Sequence, residues 1–246
     1  PVTPEDREWI LTEIDDHIAT TQIGISFFKD WASQNQLVVE EFAVFPSAYM
    51  GLVQDDGALE LYDGTLRMVD KDGELLEEFD PCNYLDYIGE HVNNYSYLKS
   101  PYYKKMGYPE GIYRVGPLGR LNAASHINTP IAQSEMKIWK SLNGGKPVEG
   151  TLYFHYARLI ETLYALERVK VLMDDPDIMG KDVANPQGPI SGEGIGCLEA
   201  PRGTLFHHYW TNDQGVIERV NMIVATAGNA WSMNHSVNMV AKRYVD

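Results

Sequence analysis

The stretch Gly196–Tyr209, GCLEAPRGTLFHHY, sets Glu199, Arg202, His207 and His208 close together around a break at Pro201. A guanidinium is effectively always protonated and offers five donors in a fixed fork. Held at a short turn, Arg202 therefore suits an anionic ligand, with Glu199 and His207 around the same corner. The plainer reading of these residues is an Arg202–Glu199 pair that braces the hairpin. His207 and His208 are adjacent, so on a strand their rings point to opposite faces and cannot chelate one ion from one face. The sequence has no Cys-x-x-Cys, no His-Glu-x-x-His and no Gly-x-Ser-x-Gly. Spacing alone thus gives no complete catalytic constellation and no structural zinc site.

The elements that must position this corner are read from the rest of the chain. Its 246 residues are 44% hydrophobic, enough for a real core and for one large domain or two small ones. We take 1–246 as a single domain. The formal charge of −15 argues against a nucleic-acid partner, which calls for a basic face, and fits a cytoplasmic protein or one component of a complex. Cys82 and Cys197 are the only cysteines, so no disulfide framework is implied. No apolar run is long enough for a membrane helix, and PVTPEDREW has neither the basic nor the apolar region of a signal peptide.

Thr3, Pro4, Glu5 and Asp6 read as a helix start. The near-helical recurrence of Ile10, Ile14, His17, Ile18, Ile25, Phe28 and Trp31 carries that helix on, with His17 expected to pack on the apolar stripe. From Tyr49 to Phe79 the period shortens and Asp-Gly recurs at 56–57, 63–64 and 72–73, which signals a small antiparallel meander. Residues 80–109 read as a short helix and then an irregular aromatic segment. The tyrosines there suit a carbohydrate or nucleobase platform, or more plainly a face packed under a partner. Gly111–Ala124, GIYRVGPLGRLNAA, has no helical period and lacks a phosphate-loop motif, so it reads as a loop with surface arginines. Helices are expected over 131–143, 151–173 and the C-terminal NAWSMNHSVNMVAKRYVD, the second with Leu152, Tyr156, Leu159, Leu163, Leu166 and Val169 on one side. A polar loop, DDPDIMGKDVANPQGPISGEGIG, leads to a strand at about 195–200 and a hairpin at about 204–225 that turns at NDQG. The fold class is α+β, mainly α: long packed helices with a small β meander and a β-hairpin.

Several of these segments together resemble the large, catalytic subunit of [NiFe]-hydrogenases, in particular the bidirectional, NAD-linked cytoplasmic type. They are FPSAYMGLV, SYLKSPYYKKMGYPEGIYRVGP, GIYRVGPLGRLN, FHYARLIE, EAPRGTLFHHY and GVIERVNMIVATAGNAWSMNHSV, and they run over essentially the whole chain in the family's order. The resemblance implies an intact subunit that interconverts hydrogen with protons and electrons at a Ni-Fe(CN)2CO centre, with a possible magnesium ion. It implies a small subunit with Fe-S clusters and NAD-reducing diaphorase subunits with FMN as partners.

Carried over residue by residue, Arg202 matches the arginine assigned to hydrogen activation, whose guanidinium also bonds a cyanide ligand. Pro201 matches the neighbour that shapes that pocket. Thr226, in IVATAGN, matches the hydroxyl that bonds the other cyanide, although Ala225 stands where the family usually has proline. Met222 matches a position that lines the apolar pocket for CO and whose carbonyl can hold the magnesium. Glu199 and His207 match positions that back the site. One departure accompanies these matches: the family holds its metals with four thiolates in two Cys-x-x-Cys motifs near the ends of the subunit, and neither motif is in this sequence. Cys82 and Cys197 do not match them. The chain therefore resembles the middle of the subunit, and the fragment alone is expected to bind no nickel and to be inactive. A second expectation stays open: a cysteine-free, non-catalytic homologue serving as a structural or quinone-interacting subunit of a complex I-like assembly.

Overall fold

In a computed structural model, which describes residues 2–183 and 188–245, the first helix starts at a reciprocal cap. Thr3 Oγ1 accepts from the Asp6 amide at 3.1 Å while Asp6 Oδ2 accepts from the Thr3 amide at 3.0 Å, with Pro4 at the first helical position. Helix α1 (Pro4–Gln34) buries Ile14, Ile18, Ile25 and Phe28. His17, expected on that stripe, is exposed. It lies one residue before Ile18, about 100° around the helix and off the buried line.

After the short α2 (Gln36–Glu41), strand β1 (Ala48–Val53) is buried along its whole length. Strands β2 (Thr65–Val69) and β3 (Leu75–Phe79) extend from it as the expected antiparallel meander. Helix α3 (Tyr84–Tyr87) leads into a two-stranded antiparallel sheet, β4 (Ile88–His91) with β5 (Ser100–Tyr103), in the segment expected to be irregular. Its tyrosines divide: Tyr84 and Tyr103 are buried, Tyr95 and Tyr97 exposed. Strand β6 (Tyr113–Arg114) then adds to β1 in parallel, giving the order β3-β2-β1-β6.

The segment expected to be a loop is instead helix α4 (Pro117–Ala123), and every one of its residues is buried. Gly116, at φ 80°, turns the chain and Pro117 opens the helix. A Cβ on Gly119 would lie 2.5 Å from the Arg114 carbonyl oxygen and 2.9 Å from that of Met50, so only glycine lets α4 lie directly on β1. Two turns of helix are too short to display a period in the sequence.

Helices α5 (Pro130–Ser141) and α6 (Tyr153–Asp174) pack with α1 and α4 around one core. Glu167 of α6 accepts from the amides of Ile131 and Ala132 at 2.9 and 2.8 Å, so a carboxylate meets the positive end of α5. Strands β7 (Glu193–Ala200), β8 (Gly203–Thr211) and β9 (Ile217–Ile223) form a three-stranded antiparallel sheet. Phe206 and Ile223 of that sheet share a second core with β1, β2 and α3. A 3-10 turn (Ala225–Asn229) enters α7 (Ala230–Tyr244). No described helix is long and apolar enough to cross a membrane.

Lys140 of α5 donates to the Asn122 carbonyl at 3.1 Å, near the end of α4. Burial, with a smaller contribution from the Arg67 charge, pulls its pKa down to about 8 from 10.5. Folding therefore disfavours the charged amine, and that cost is complete below pH 8. It is relieved as pH rises through 8 towards 10.5, where the unfolded chain binds the extra proton. The stability of the wild type relative to Lys140→Met should rise by about 3 kcal/mol across that window. Urea unfolding at steps of pH checks this, and a constant difference between the two proteins would contradict it.

Candidate active site

The corner between β7 and β8 is held from behind by a buried ion cluster. Arg120 of α4 grips Glu161 of α6 with both sides of its fork, Nε to Oε1 at 2.6 Å and Nη2 to Oε2 at 2.7 Å. Its Nη1 donates to Glu199 Oε2 at 2.7 Å and to the Ala200 carbonyl at 2.9 Å. Side-chain exposures of 3%, 10% and 0% place Arg120, Glu161 and Glu199 out of water. The second Glu199 oxygen accepts from the Leu52 amide at 3.1 Å and the Thr204 hydroxyl at 2.9 Å. Burial pushes the Glu199 carboxyl up, against the pull of Arg120 and these donors. Burial alone would lower Arg120, but its two carboxylates outweigh this and hold the guanidinium firmly charged. The expected Arg202–Glu199 brace is thus replaced: Glu199 is braced by Arg120, and the arginines of GIYRVGPLGRLN are core residues, not surface ones.

With Glu199 so committed, Arg202 is free to face outward. It is exposed at the turn beside Pro201 and lines a cavity of about 290 Å³. Thr226 reaches the same cavity from the turn before α7. Arg114, Arg158 and His155 join the lining, which contains no carboxylate. Arg114 is 1% exposed and donates to the Phe45 and Glu149 carbonyls, Ser47 Oγ and Tyr49 Oη at 2.6–2.8 Å. Its charge is solvated by neutral oxygens, so it is not cancelled, although burial lowers its pKa from the usual value. Three guanidiniums with no acid give the cavity a positive potential suited to anionic ligands.

The other candidates fall elsewhere. His207 and Met222 face each other in register across β8 and β9, and neither is among the residues lining the Arg202 cavity. His207 lies 3.0 Å from Tyr209 Oη, whose hydroxyl also points at the Met222 sulfur at 3.8 Å. A sequence match assigns a position along the chain, whereas strand alternation decides which face its side chain takes. His208 turns inward as alternation requires, fully buried between Tyr84 Oη at 3.1 Å and Glu193 at 2.8 Å. Cys82 and Cys197 line a different cavity of about 680 Å³, together with His207. Burial pushes both thiols up. Among the described residues no group of three or more His, Cys, Asp or Glu side chains could hold a metal ion. The donors at the Arg202 cavity fit an anionic ligand.

Of the missed residues, Arg114 and Arg120, only Arg120 had a legible signal. Glu161 sits between Ile160 and Leu163 on the buried side of α6, and an acid among apolar neighbours calls for a buried cation.

Comparison with known proteins bears on this geometry. The family model described as nickel-dependent hydrogenase matches residues 28–241. A chain of the vhu F420-non-reducing hydrogenase of Methanococcus voltae is 42% identical over 98% of this chain and 57% of its own length. The NAD-reducing hydrogenase HoxS subunit beta of Cupriavidus necator is 40% identical over 96% of this chain and 49% of its own. A crystal structure of an NAD+-reducing [NiFe]-hydrogenase in the H2-reduced state superposes with a TM-score of 0.93 at 33% identity, over 99% of this chain and 54% of that one. The chain spans about half the length of the curated relatives it matches.

Proposed function

The chain belongs to the nickel-dependent hydrogenase family, and from that premise we propose that it is the central part of a catalytic subunit that oxidises hydrogen reversibly, with Arg202 at the reaction site. The observation that carries the proposal is the convergence of Arg202 and Thr226 on one cavity lined by three arginines and no carboxylate. NAD is the electron acceptor we infer for the intact complex, supported by the NAD-reducing relative and the NAD+-reducing structure. A small subunit with Fe-S clusters and diaphorase subunits with FMN are the partners this implies, in the cytoplasm. Family membership weighs against the quinone-subunit reading.

The nickel–iron centre, when bound, supplies heterolytic cleavage of hydrogen. Arg202 and Thr226 would hold its anionic ligands. The charge of Arg202, carried on a turn held from both sides, stabilises the charges that separate in the transition state. Arg114 adds a second charge, locked by its four acceptors. Phe45 and Phe154 add apolar surface to the cavity wall. Its planar, charged fork makes Arg202 an electrostatic clamp before it is a proton acceptor.

Nickel analysis and hydrogen uptake, measured on this chain and on the complete protein that carries it, test the proposal. The chain alone should hold no stoichiometric nickel and take up no hydrogen, and the complete protein should do both. Stoichiometric nickel with uptake by the chain alone would overturn the fragment reading. A fully loaded complete protein without uptake would overturn the function.

A further inference from the structure

The turn that carries Arg202 is gripped by both of its flanking carbonyls. On one side Arg120 Nη1 donates to the Ala200 carbonyl at 2.9 Å. On the other, Asn229 Nδ2 donates to the Arg202 carbonyl at 3.2 Å and to the Val115 carbonyl at 3.2 Å. Asn229 Oδ1 accepts in turn from the Val115 amide at 3.0 Å. Asn229 is 8% exposed and Arg120 2%, so water does not compete well for these bonds. The two jaws come from α4 and from the turn before α7, and both are tied to the same short segment, Val115–Arg120.

That segment also fits the corner sterically. A Cβ on Gly116 would lie 2.8 Å from the Arg202 carbonyl oxygen. A Cβ on Gly203 would lie 2.3 Å from Val115 Cγ2 and 2.8 Å from the Ala225 carbonyl oxygen. The backbone of Arg202 is thus enclosed although its side chain is exposed. Charge follows the same division. Glu161 and Glu199 are both engaged by Arg120, and the Arg202 cavity has no acid in its lining.

We infer that Arg120 and Asn229 are positioning residues that fix the direction in which Arg202 leaves the β7–β8 turn. The inference rests on the functional reading above only for what that direction serves. The guanidinium stands at the end of a long flexible side chain, so a small rotation of the turn moves it far. A displacement of about 1 Å at a reacting group can cost on the order of 100-fold in rate. Arg120 does not line the cavity; Asn229 does, and its positioning role runs through the backbone of the turn. Asn229 acts through the Arg202 carbonyl, and Arg120 through Ala200 and Glu199.

Limited trypsin digestion of the complete protein provides the test, because the bond after Arg202 lies in the gripped turn. The bond after Arg158 lies inside α6 and opens only with the helix, so it serves as the internal reference. In Asn229→Ala the initial rate of cleavage after Arg202, relative to that after Arg158, should rise about tenfold, the effect of losing a donor to a buried carbonyl. Asn229→Asp, of equal size, keeps the acceptor for Val115 but lacks the amide donor, and should show the same rise. Arg120→Lys, with one ammonium for three partners, should show it from the other side. A ratio unchanged in both Asn229 variants would overturn the inference. In the complete protein, Asn229→Ala should lower turnover about tenfold with KM for hydrogen within about twofold, since positioning acts on the transition state. A fall in thermal stability with turnover per folded, nickel-loaded protein unchanged would mean a merely structural role. If the complete wild type fails to oxidise hydrogen, the functional reading fails and the cleavage ratio still decides the grip.

Discussion

Arg120→Met should lower the stability of this chain by about 3–5 kcal/mol, the usual cost of removing one partner from a buried ion cluster. The cause is what remains, more than what is removed. Glu161 and Glu199, with side-chain exposures of 10% and 0%, would be stranded without a cation. The Ala200 carbonyl would lose its donor as well. Urea unfolding should show a lower midpoint with an unchanged slope, because the folded state and the surface it buries are otherwise the same. The penalty should also depend on pH in a set direction. Burial already pushes the Glu199 carboxyl up, and without the opposing pull of Arg120 it binds its proton more tightly still in the native state than in the unfolded one. The variant should therefore regain stability as pH falls towards the unfolded carboxylate pKa and lose it as pH rises. A loss below about 1 kcal/mol at neutral pH would show that the cluster is not what holds α4, α6 and the β7–β8 corner together.

That cluster also marks where the sequence stopped being legible. Long periodic elements were readable: α1 from its cap and its isoleucines, α6 from its apolar side, the meander from its Asp-Gly turns. Their signals are local and repeat often enough to be seen. Helix α4 is too short for a period, and its Gly119 reads as a loop residue when it is in fact the condition for lying against β1. Arg114 and Arg120 read as surface cations because most arginines are. Their burial depends on acceptors distant in sequence: Glu161 and Glu199 for one, main-chain carbonyls and Tyr49 for the other.

Of the site, the turn at Pro201–Arg202 was legible as a corner with a guanidinium. Its convergence with Thr226 followed from resemblance, and the structure gives the pair a common cavity. His207 and Met222 matched by sequence position, yet the structure puts them outside that cavity. His17 shows the same limit in a helix: it shares the apolar run but not the buried face.

Arg202→Lys in the complete protein should lower hydrogen turnover roughly 100-fold, the scale of losing one preorganised donor at a developing charge. Lysine keeps the charge, so any loss reports geometry. An ammonium is a compact point charge and cannot reproduce the planar fork that Arg202 presents to the cavity. The exposed turn residue makes no contact with the buried cluster, and folding should be unaffected. Because the change is confined to the cavity wall, metal loading should be unaffected too. Hydrogen uptake and nickel content measured on the same preparations of wild type and Arg202→Lys test the claim that this corner serves hydrogen activation. The expected result is equal nickel with turnover lower by about two orders of magnitude. Equal nickel with equal turnover would contradict it.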